Sequence, residues 1–206
     1  MGSELRERRK RERRDAILRA AERTIAAKGF DRATMEEIAE HAHVGVATVY
    51  KYFGTKAAIV EGIIRPTLDK ALSEADRIIR NPPADPGLAM AELVDKYRLL
   101  RNDWADRKLL RALNTLAPLM NKTLAAFVGA AESRCQQQIR DLLLVLKGRG
   151  DINPSLNVDD AAFVVFCVFN QHYEMFVANE DVRAESLFRD LARRIKMLFQ
   201  NWTITR

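Results

Sequence analysis

Residues 34–53 contain two short amphipathic segments separated by a turn, and this pattern constrains the fold more than any other feature of the chain. Thr34 can cap a helix through its hydroxyl, and Glu37, three residues later, can bond back to the cap. Apolar residues then follow the i, i+3, i+4 and i+7 positions of a helix, namely Met35, Ile38, Ala39 and Ala42. Gly45 supplies backbone freedom for a turn, so the sequence predicts a second helix over about 46–53.

The second helix is predicted to pack one side on the domain and to expose the other. Its inner side is expected to carry Val46, Val49, Tyr50 and Phe53, and its outer side Ala47, Thr48, Lys51 and Tyr52. Small, hydroxyl, cationic and aromatic groups on one face suit close approach to bases and attraction to phosphate, as in a helix that enters the DNA major groove. A helix-turn-helix also occurs as a packing unit without nucleic acid, and that alternative stays open.

Four features of this region resemble the DNA-binding unit of the TetR family of bacterial transcriptional regulators. They are the Gly29-Phe30 break, the Thr34-x-x-x-Ile38-Ala39 opening, the Val44-x-x-x-Thr48-Val49-Tyr50-x-Tyr52-Phe53 core, and Lys56 leading the next helix. The motif resemblance covers about the first 60 residues, and the remainder is similar only in length and helical character. His43 and Gly45 stand where the family often has Gly and Ser, and Gly45 removes a hydroxyl cap.

The resemblance implies which residues meet DNA. Thr34 and Lys56 would bind phosphates at helix N-termini, and Tyr50 would contact the DNA backbone. The complete set expected at the DNA is Thr34, Gly45, Val46, Ala47, Thr48, Tyr50, Lys51, Tyr52 and Lys56.

A basic segment lies just upstream of this unit. Arg6–Arg14 holds seven cations and two acids, a local net charge of +5. It is either an arm that neutralises phosphates or enters the minor groove, or the solvated, fraying start of a helix.

Composition supports an anionic partner and argues against other classes. The chain has 34 Lys and Arg against 28 Asp and Glu, a net charge of +6. It has neither a long uninterrupted apolar run nor an apolar N-terminus, so we expect a cytoplasmic protein with no membrane partner. Cys135 and Cys167 are isolated, which suits reduced thiols, with a redox switch as the alternative. We expect no metal, no cofactor and no enzymatic activity, because no catalytic or phosphate-loop motif is present; His41-x-His43 is the weak alternative as a metal pair.

The rest of the chain follows helical periodicity, which predicts an all-α fold of about nine helices. We expect a three-helix DNA-binding domain over 1–56 and a helical effector-binding and dimerisation domain over 57–206. The later helices are predicted over 55–79 with a bend near Pro66, and over 86–105, 106–116, 118–147, 158–178 and 183–202.

The last two helices suggest a homodimer. The helix over 158–178 is apolar nearly all round and needs cover on two sides, and the final helix adds a second apolar stripe. Together they match a four-helix interface between two subunits. The expected interface residues are Phe166, Phe169, His172, Tyr173, Phe176, Leu191, Ile195, Leu198 and Trp202. A monomer with a deeply buried central helix is the alternative.

Polar residues on apolar helix faces are the clue to an effector site, because burying them costs free energy unless they find partners. The candidates are Tyr97, Arg101, Trp104, Asn114, Asn170, Gln171 and Glu174. Each could instead bond within the core or across a dimer. By resemblance, we expect a repressor that leaves a palindromic operator when a small, largely apolar effector binds; an activator of the same fold and a non-specific architectural DNA-binding protein remain alternatives.

Overall fold

The computed structural model describes residues 2–97, 110, 122–179 and 181–204. The described residues form eight helices, so the predicted all-α fold is confirmed. The helices are α1 (Gly2–Lys28), α2 (Met35–His41), α3 (Val46–Phe53), α4 (Lys56–Arg80), α5 (Pro86–Lys96), α6 (Lys122–Gly148), α7 (Val158–Ala178) and α8 (Ala184–Trp202). The helix predicted over 106–116, the first residues of the one predicted over 118–147 and the end of the one predicted over 86–105 lie outside the described residues.

The chain forms two compact units, and Pro66, inside α4, is the last residue of the first before the chain enters the second. Of the described residues after position 66, the first unit also contains 110 and 122–128, and the second contains 67–97 and those from 129 onward. The boundary predicted after Lys56 instead coincides with the start of α4.

The core of the first unit joins α1, α2, α3 and the start of α4. Its buried members are Ile17, Ala20, Ala21, Met35, Ile38, Ala39, Val49 and Ile59. A hydrogen bond of 2.8 Å between Thr24 Oγ1 and His41 Nδ1 also joins α1 to α2. The single hydroxyl hydrogen of Thr24 is donated to the Ala20 carbonyl, so in the bond between the two helices the His41 N–H donates and Thr24 Oγ1 accepts. The apolar stripe predicted for α2 therefore does face the unit's core.

The turn between α2 and α3 depends on His43. Its backbone φ is +55°, whereas Gly45 has an ordinary φ of −67°. The Val44 N–H bonds the Ala39 carbonyl over 3.0 Å and the His43 N–H bonds the Glu40 carbonyl over 3.1 Å, which together form a Schellman motif with His43 as the left-handed residue. The prediction that Gly45 supplies the turn's special conformation is therefore wrong, because the helix closes two residues earlier.

Lys56, the first residue of α4, ties that helix to the turn after α1. Its ammonium donates to the carbonyls of Phe30, Asp31 and Ala33, the last over 2.8 Å, and lies 4.4 Å from the centre of the Phe30 ring. Three donors meet three acceptors, so the bonding capacity of the ammonium is used within the chain. Burial lowers the pKa of Lys56, and the charge of Asp31 opposes that shift.

The second unit is built around α5, α6, α7 and α8. Asp85 caps α5 and Asn157 caps α7 through their side chains. Buried side chains of these helices form one cluster with Ala75 of α4, and they include Met90, Leu93, Ile139, Leu142, Val165, Phe169, Leu191 and Ile195. α7 is also long and apolar enough to cross a membrane by length and composition alone. Five of its buried side chains, from Val158 to Phe169, belong to this cluster, as expected of the core helix of a globular unit.

We expect His43→Gly to raise the free energy of unfolding by about 0.5–1 kcal/mol, because glycine removes the Cβ strain of a positive φ while losing more chain entropy. Urea denaturation measures the change. His43→Ala is the matched control, since it removes the exposed imidazole and keeps Cβ. Equal stability of the two variants would contradict the claim that a Cβ at the positive φ of position 43 is strained.

Lys56→Met should lower the free energy of unfolding by about 1–3 kcal/mol, because three carbonyls lose a charged donor while the aliphatic stem remains. The same denaturation experiment applies, with Lys51→Met as the control for an exposed lysine of the same unit. That control should change stability by less than about 0.5 kcal/mol. A Lys56→Met effect no larger than the control would show that the three bonds are not stabilising.

Candidate nucleic-acid interface

The start of α2 is fixed by the predicted capping box. Thr34 Oγ1 accepts the Glu37 N–H over 3.2 Å, and the Glu37 carboxylate accepts the Thr34 N–H over 3.3 Å. A bond from the Lys28 ammonium, with the Thr34 N–H, holds the pKa of Glu37 below its ordinary value. Thr34 remains exposed, so its hydroxyl hydrogen can still donate to a phosphate.

Val49 of α3, the helix that follows the turn, is fully buried. Its burial fixes the rotation of α3 and so the direction of every other side chain on the helix. Val46, Tyr52 and Phe53 are half-buried against the first unit's core. Gly45 caps α3 without a side-chain bond, as its lack of a hydroxyl predicts.

The outer face of α3 differs from the prediction at two tyrosines. Tyr50 is 48% exposed and lies outside, whereas the Tyr52 ring packs inward, 6.5 Å from the Phe53 ring. The inner arc is centred on Val49; Tyr52 lies three residues on, near that arc, while Tyr50 is rotated about 100° from it. The exposed face is therefore Ala47, Tyr50 and Lys51, flanked by half-buried Thr48.

This face can meet a duplex in three ways. Ala47 allows close approach of the backbone to a base edge, Tyr50 carries a phenol that can donate to a phosphate, and Lys51 adds a cation. Lys56, in contrast, is bonded to backbone carbonyls, and its predicted phosphate contact would require it to give up one of them.

The N-terminal basic segment is helical rather than an extended arm. It forms the first half of α1, and residues 3–15 are all exposed. Arg14, at the end of the segment, places its guanidinium 5.6 Å from the centre of the Phe53 ring, at the last residue of α3.

Four of the predicted effector residues, Tyr97, Asn170, Gln171 and Glu174, are among the described residues. Tyr97 is fully buried, and its hydroxyl lies 3.1 Å from Gln138 Oε1 and 3.2 Å from the Cys135 carbonyl. Burial raises the pKa of Tyr97 well above its ordinary value. Arg101, Trp104 and Asn114 lie outside the described residues.

The predicted polar cluster of α7 points away from the core. Gln171 and Glu174 are exposed and Asn170 is half-buried, because they lie on the side of α7 opposite Val165, Phe169 and Phe176. Gln171 and Glu174 therefore do not line the interior of the second unit, and that expectation is corrected.

Gln138 is a buried polar residue of the second unit that was not predicted from the sequence. Its amide donates to the Leu72 carbonyl over 2.8 Å and to Asp76, which also binds Arg134. With Tyr97 it links α4, α5 and α6 through bonds that satisfy the buried side chains. The available signal was the spacing of this glutamine, three residues after Cys135 and four before Leu142, which places it on the same side of the helix as those two residues.

The predicted dimer face is also corrected. Phe169, His172, Phe176, Leu191 and Ile195 are buried within the chain itself, so a second subunit cannot reach them; His172 bonds the Val168 carbonyl and Arg194. Phe166, Tyr173, Leu198 and Trp202 are half-buried. The exposed apolar side chains of α7 are instead Phe163, Val164, Cys167 and Met175.

The two cysteines have different environments. Burial raises the pKa of the Cys135 thiol to about 12, which leaves it protonated and unreactive at neutral pH. Cys167 is exposed on the outer side of α7.

The sequence is similar to those of known bacterial regulatory proteins. Residues 17–63 match the family model described as bacterial regulatory proteins, tetR family. The uncharacterised HTH-type transcriptional regulator YdeS of Bacillus subtilis is 27% identical over 179 residues, which cover 85% of this chain and 84% of that protein.

Solved structures share the fold. The regulator FadR from Bacillus subtilis in complex with stearoyl-CoA is 21% identical with a TM-score of 0.69, and the match covers 89% of this chain and 95% of that one. A transcriptional regulator from Saccharomonospora viridis in complex with choline is 18% identical with a TM-score of 0.70, and that match covers 94% and 98%.

The matched residues 17–63 contain α2, α3 and the buried core that orients them, and YdeS extends the similarity over most of the chain. Residues 17–63 therefore form a helix-turn-helix unit of the tetR type, and over most of its length the chain is similar to a bacterial HTH-type transcriptional regulator and shares the all-α fold of solved regulators of that family.

Proposed function

We propose that this regulator is a homodimeric repressor that binds a palindromic operator and leaves it when a small, largely apolar molecule binds the second unit. The exposed face of α3 carries the proposal. Ala47, Tyr50 and Lys51 stand outside a helix whose opposite side is buried, and that face offers contacts to both bases and phosphates.

A two-fold dimer would supply two such helices to two half-sites about one DNA turn apart. The outer side of α7 favours this assembly. Phe163 is 59% exposed, and Val164 and Met175 are also exposed on this helix, an unusual exposure of large apolar groups on one helix. The outer side of α8 is polar apart from Met197, so α7 contributes most of the apolar area.

The effector proposal rests on relatives and on chain connectivity. FadR of Bacillus subtilis binds stearoyl-CoA and the Saccharomonospora viridis regulator binds choline, so proteins of this fold accept both long acyl and small cationic molecules. α4 continues from the first unit into the second, and a shift of this helix would alter the spacing of the recognition helices. The effector must bind the DNA-incompetent state more tightly, with a coupling of about 1–3 kcal/mol.

Lys51→Ala should weaken binding to a duplex selected from a random library by roughly 5- to 150-fold, the range for losing one base or phosphate contact. Fluorescence anisotropy at fixed salt measures the affinity, and Lys70→Ala, an exposed lysine on α4, is the control. If Lys51→Ala leaves the affinity unchanged, the proposal that the exposed face of α3 contacts DNA is contradicted. Equal affinity of the unaltered protein for selected and random duplexes would favour an architectural DNA-binding protein.

Phe163→Glu should convert the dimer to a monomer, because a carboxylate would replace the most exposed large apolar side chain of α7 and would be buried in the proposed interface. Sedimentation equilibrium distinguishes twice the 23.5 kDa chain mass from the mass of one chain. Leu144→Glu on the outer side of α6 is the control, since Leu144 is 43% exposed and lies on another helix. Dimers in both variants would place the interface elsewhere.

A further inference from the structure

We propose that the first half of α1 is a second DNA-binding surface, which holds the phosphate backbone beside the segment read by α3. This inference rests on the proposed DNA binding and deepens it. The surface, called here the basic face, consists of Arg6, Arg9, Lys10, Arg13 and Arg14.

Helical register separates the charges of α1 by sign. At about 100° per residue, Arg6, Arg9, Lys10, Arg13 and Arg14 share one side of the helix. This side contains five cations, and the one acid near it is Glu7, which lies at its edge in the helical row of Arg14. The opposite side holds Glu4, Arg8, Arg11, Glu12 and Asp15, and Arg8 lies 3.4 Å from the Glu12 carboxylate. The local positive charge is therefore concentrated on one side instead of surrounding the helix.

The basic face continues the side of α1 that packs into the core. Arg6, Lys10 and Arg13 are followed in the same helical row by Ile17, Ala21 and Thr24, which are buried. The basic face therefore points to the side of α1 on which α2, α3 and α4 lie, but extends past them, since residues 3–15 are exposed.

The junction between these two halves of α1 lies against the end of the recognition helix. Arg14 stacks on the ring of Phe53, the last residue of α3, and Leu18 lies close to Gly62 of α4. The basic face thus begins where α3 ends. A duplex whose major groove holds α3 would continue past that end, with its backbone opposite these guanidinium groups.

The chemistry of the segment favours a nucleic-acid backbone over a membrane. A membrane-surface helix needs a broad apolar side, but Leu5 is the only large apolar residue among positions 3–15. Four of the five cations of the basic face are arginines, whose planar donor groups suit phosphate. Duplex DNA presents one negative charge per about 1.7 Å of its axis, so several of these cations can each pair with a phosphate at the same time.

Two matched double variants of the full chain test the proposal. Arg9→Gln with Arg13→Gln removes two cations from the basic face, and Arg8→Gln with Arg11→Gln removes two from the opposite side. The probe is a 40-bp duplex of random sequence, because phosphate contacts do not require an operator. The measurement is the slope of log affinity against log salt concentration.

The basic-face pair should lower the magnitude of that slope by about 2, close to 0.9 per lost phosphate contact, while the control pair should lower it by less than half as much. Equal slopes for the two pairs, or an unchanged slope for the basic-face pair, would overturn the proposal. Loss of binding to phosphatidylserine vesicles with an unchanged DNA slope would assign the face to membranes and overturn it too.

The proposed function fails separately. If Lys51→Ala leaves selection of a specific duplex intact, α3 is not the reader, yet the slopes on random duplex still report on α1. If the basic-face pair has no effect, preference for a selected duplex over a random one still reports on α3.

Discussion

Burial of Val49 against α1 and α2 determines what this protein presents to DNA. α3 has only eight residues, so it cannot hold its orientation without support from its neighbours. Once Val49 is in the core, Ala47, Tyr50 and Lys51 must face outward. Rotation of the helix by one residue would exchange Tyr50 for another side chain, so the exposed face of α3 depends on the packing of its buried residues.

The ends of the helices could be predicted from sequence because their causes are local. Thr34 with Glu37, Asp85 before Pro86 and Asn157 before Val158 bond within a few residues, and each marks a helix start that the structure contains. The rotation of α3 and the positive φ of His43 could not be predicted in this way. Both are set by how Val44 and Val49 enter a core shared with α1, and sequence periodicity does not rank neighbouring apolar residues within one arc.

Polar residues in the second unit show a related difficulty. The hydroxyl of Tyr97 was predicted to be a ligand group, because burial without a partner would be costly, whereas the amide of Gln138 was not singled out. Tyr97 has its partners on α6, about forty residues later, and Gln138 bonds Asp76 and the Leu72 carbonyl on α4, more than sixty residues earlier. Sequence identifies that a polar group is buried but not which distant group satisfies it, so ligand binding and internal bonding remain indistinguishable until the helices are packed.

One helical row of α1 connects the two properties that the sequence analysis treated separately. Ile17, Ala21 and Thr24 hold α2 and α3 in place, and the same row continues as Arg13, Lys10 and Arg6 beyond the core. Because a helix of this length is stiff, packing at one end fixes the direction of the charges at the other. The core residues of α1 therefore orient both the recognition helix and the basic face, and a change that rotates α1 would move both surfaces together.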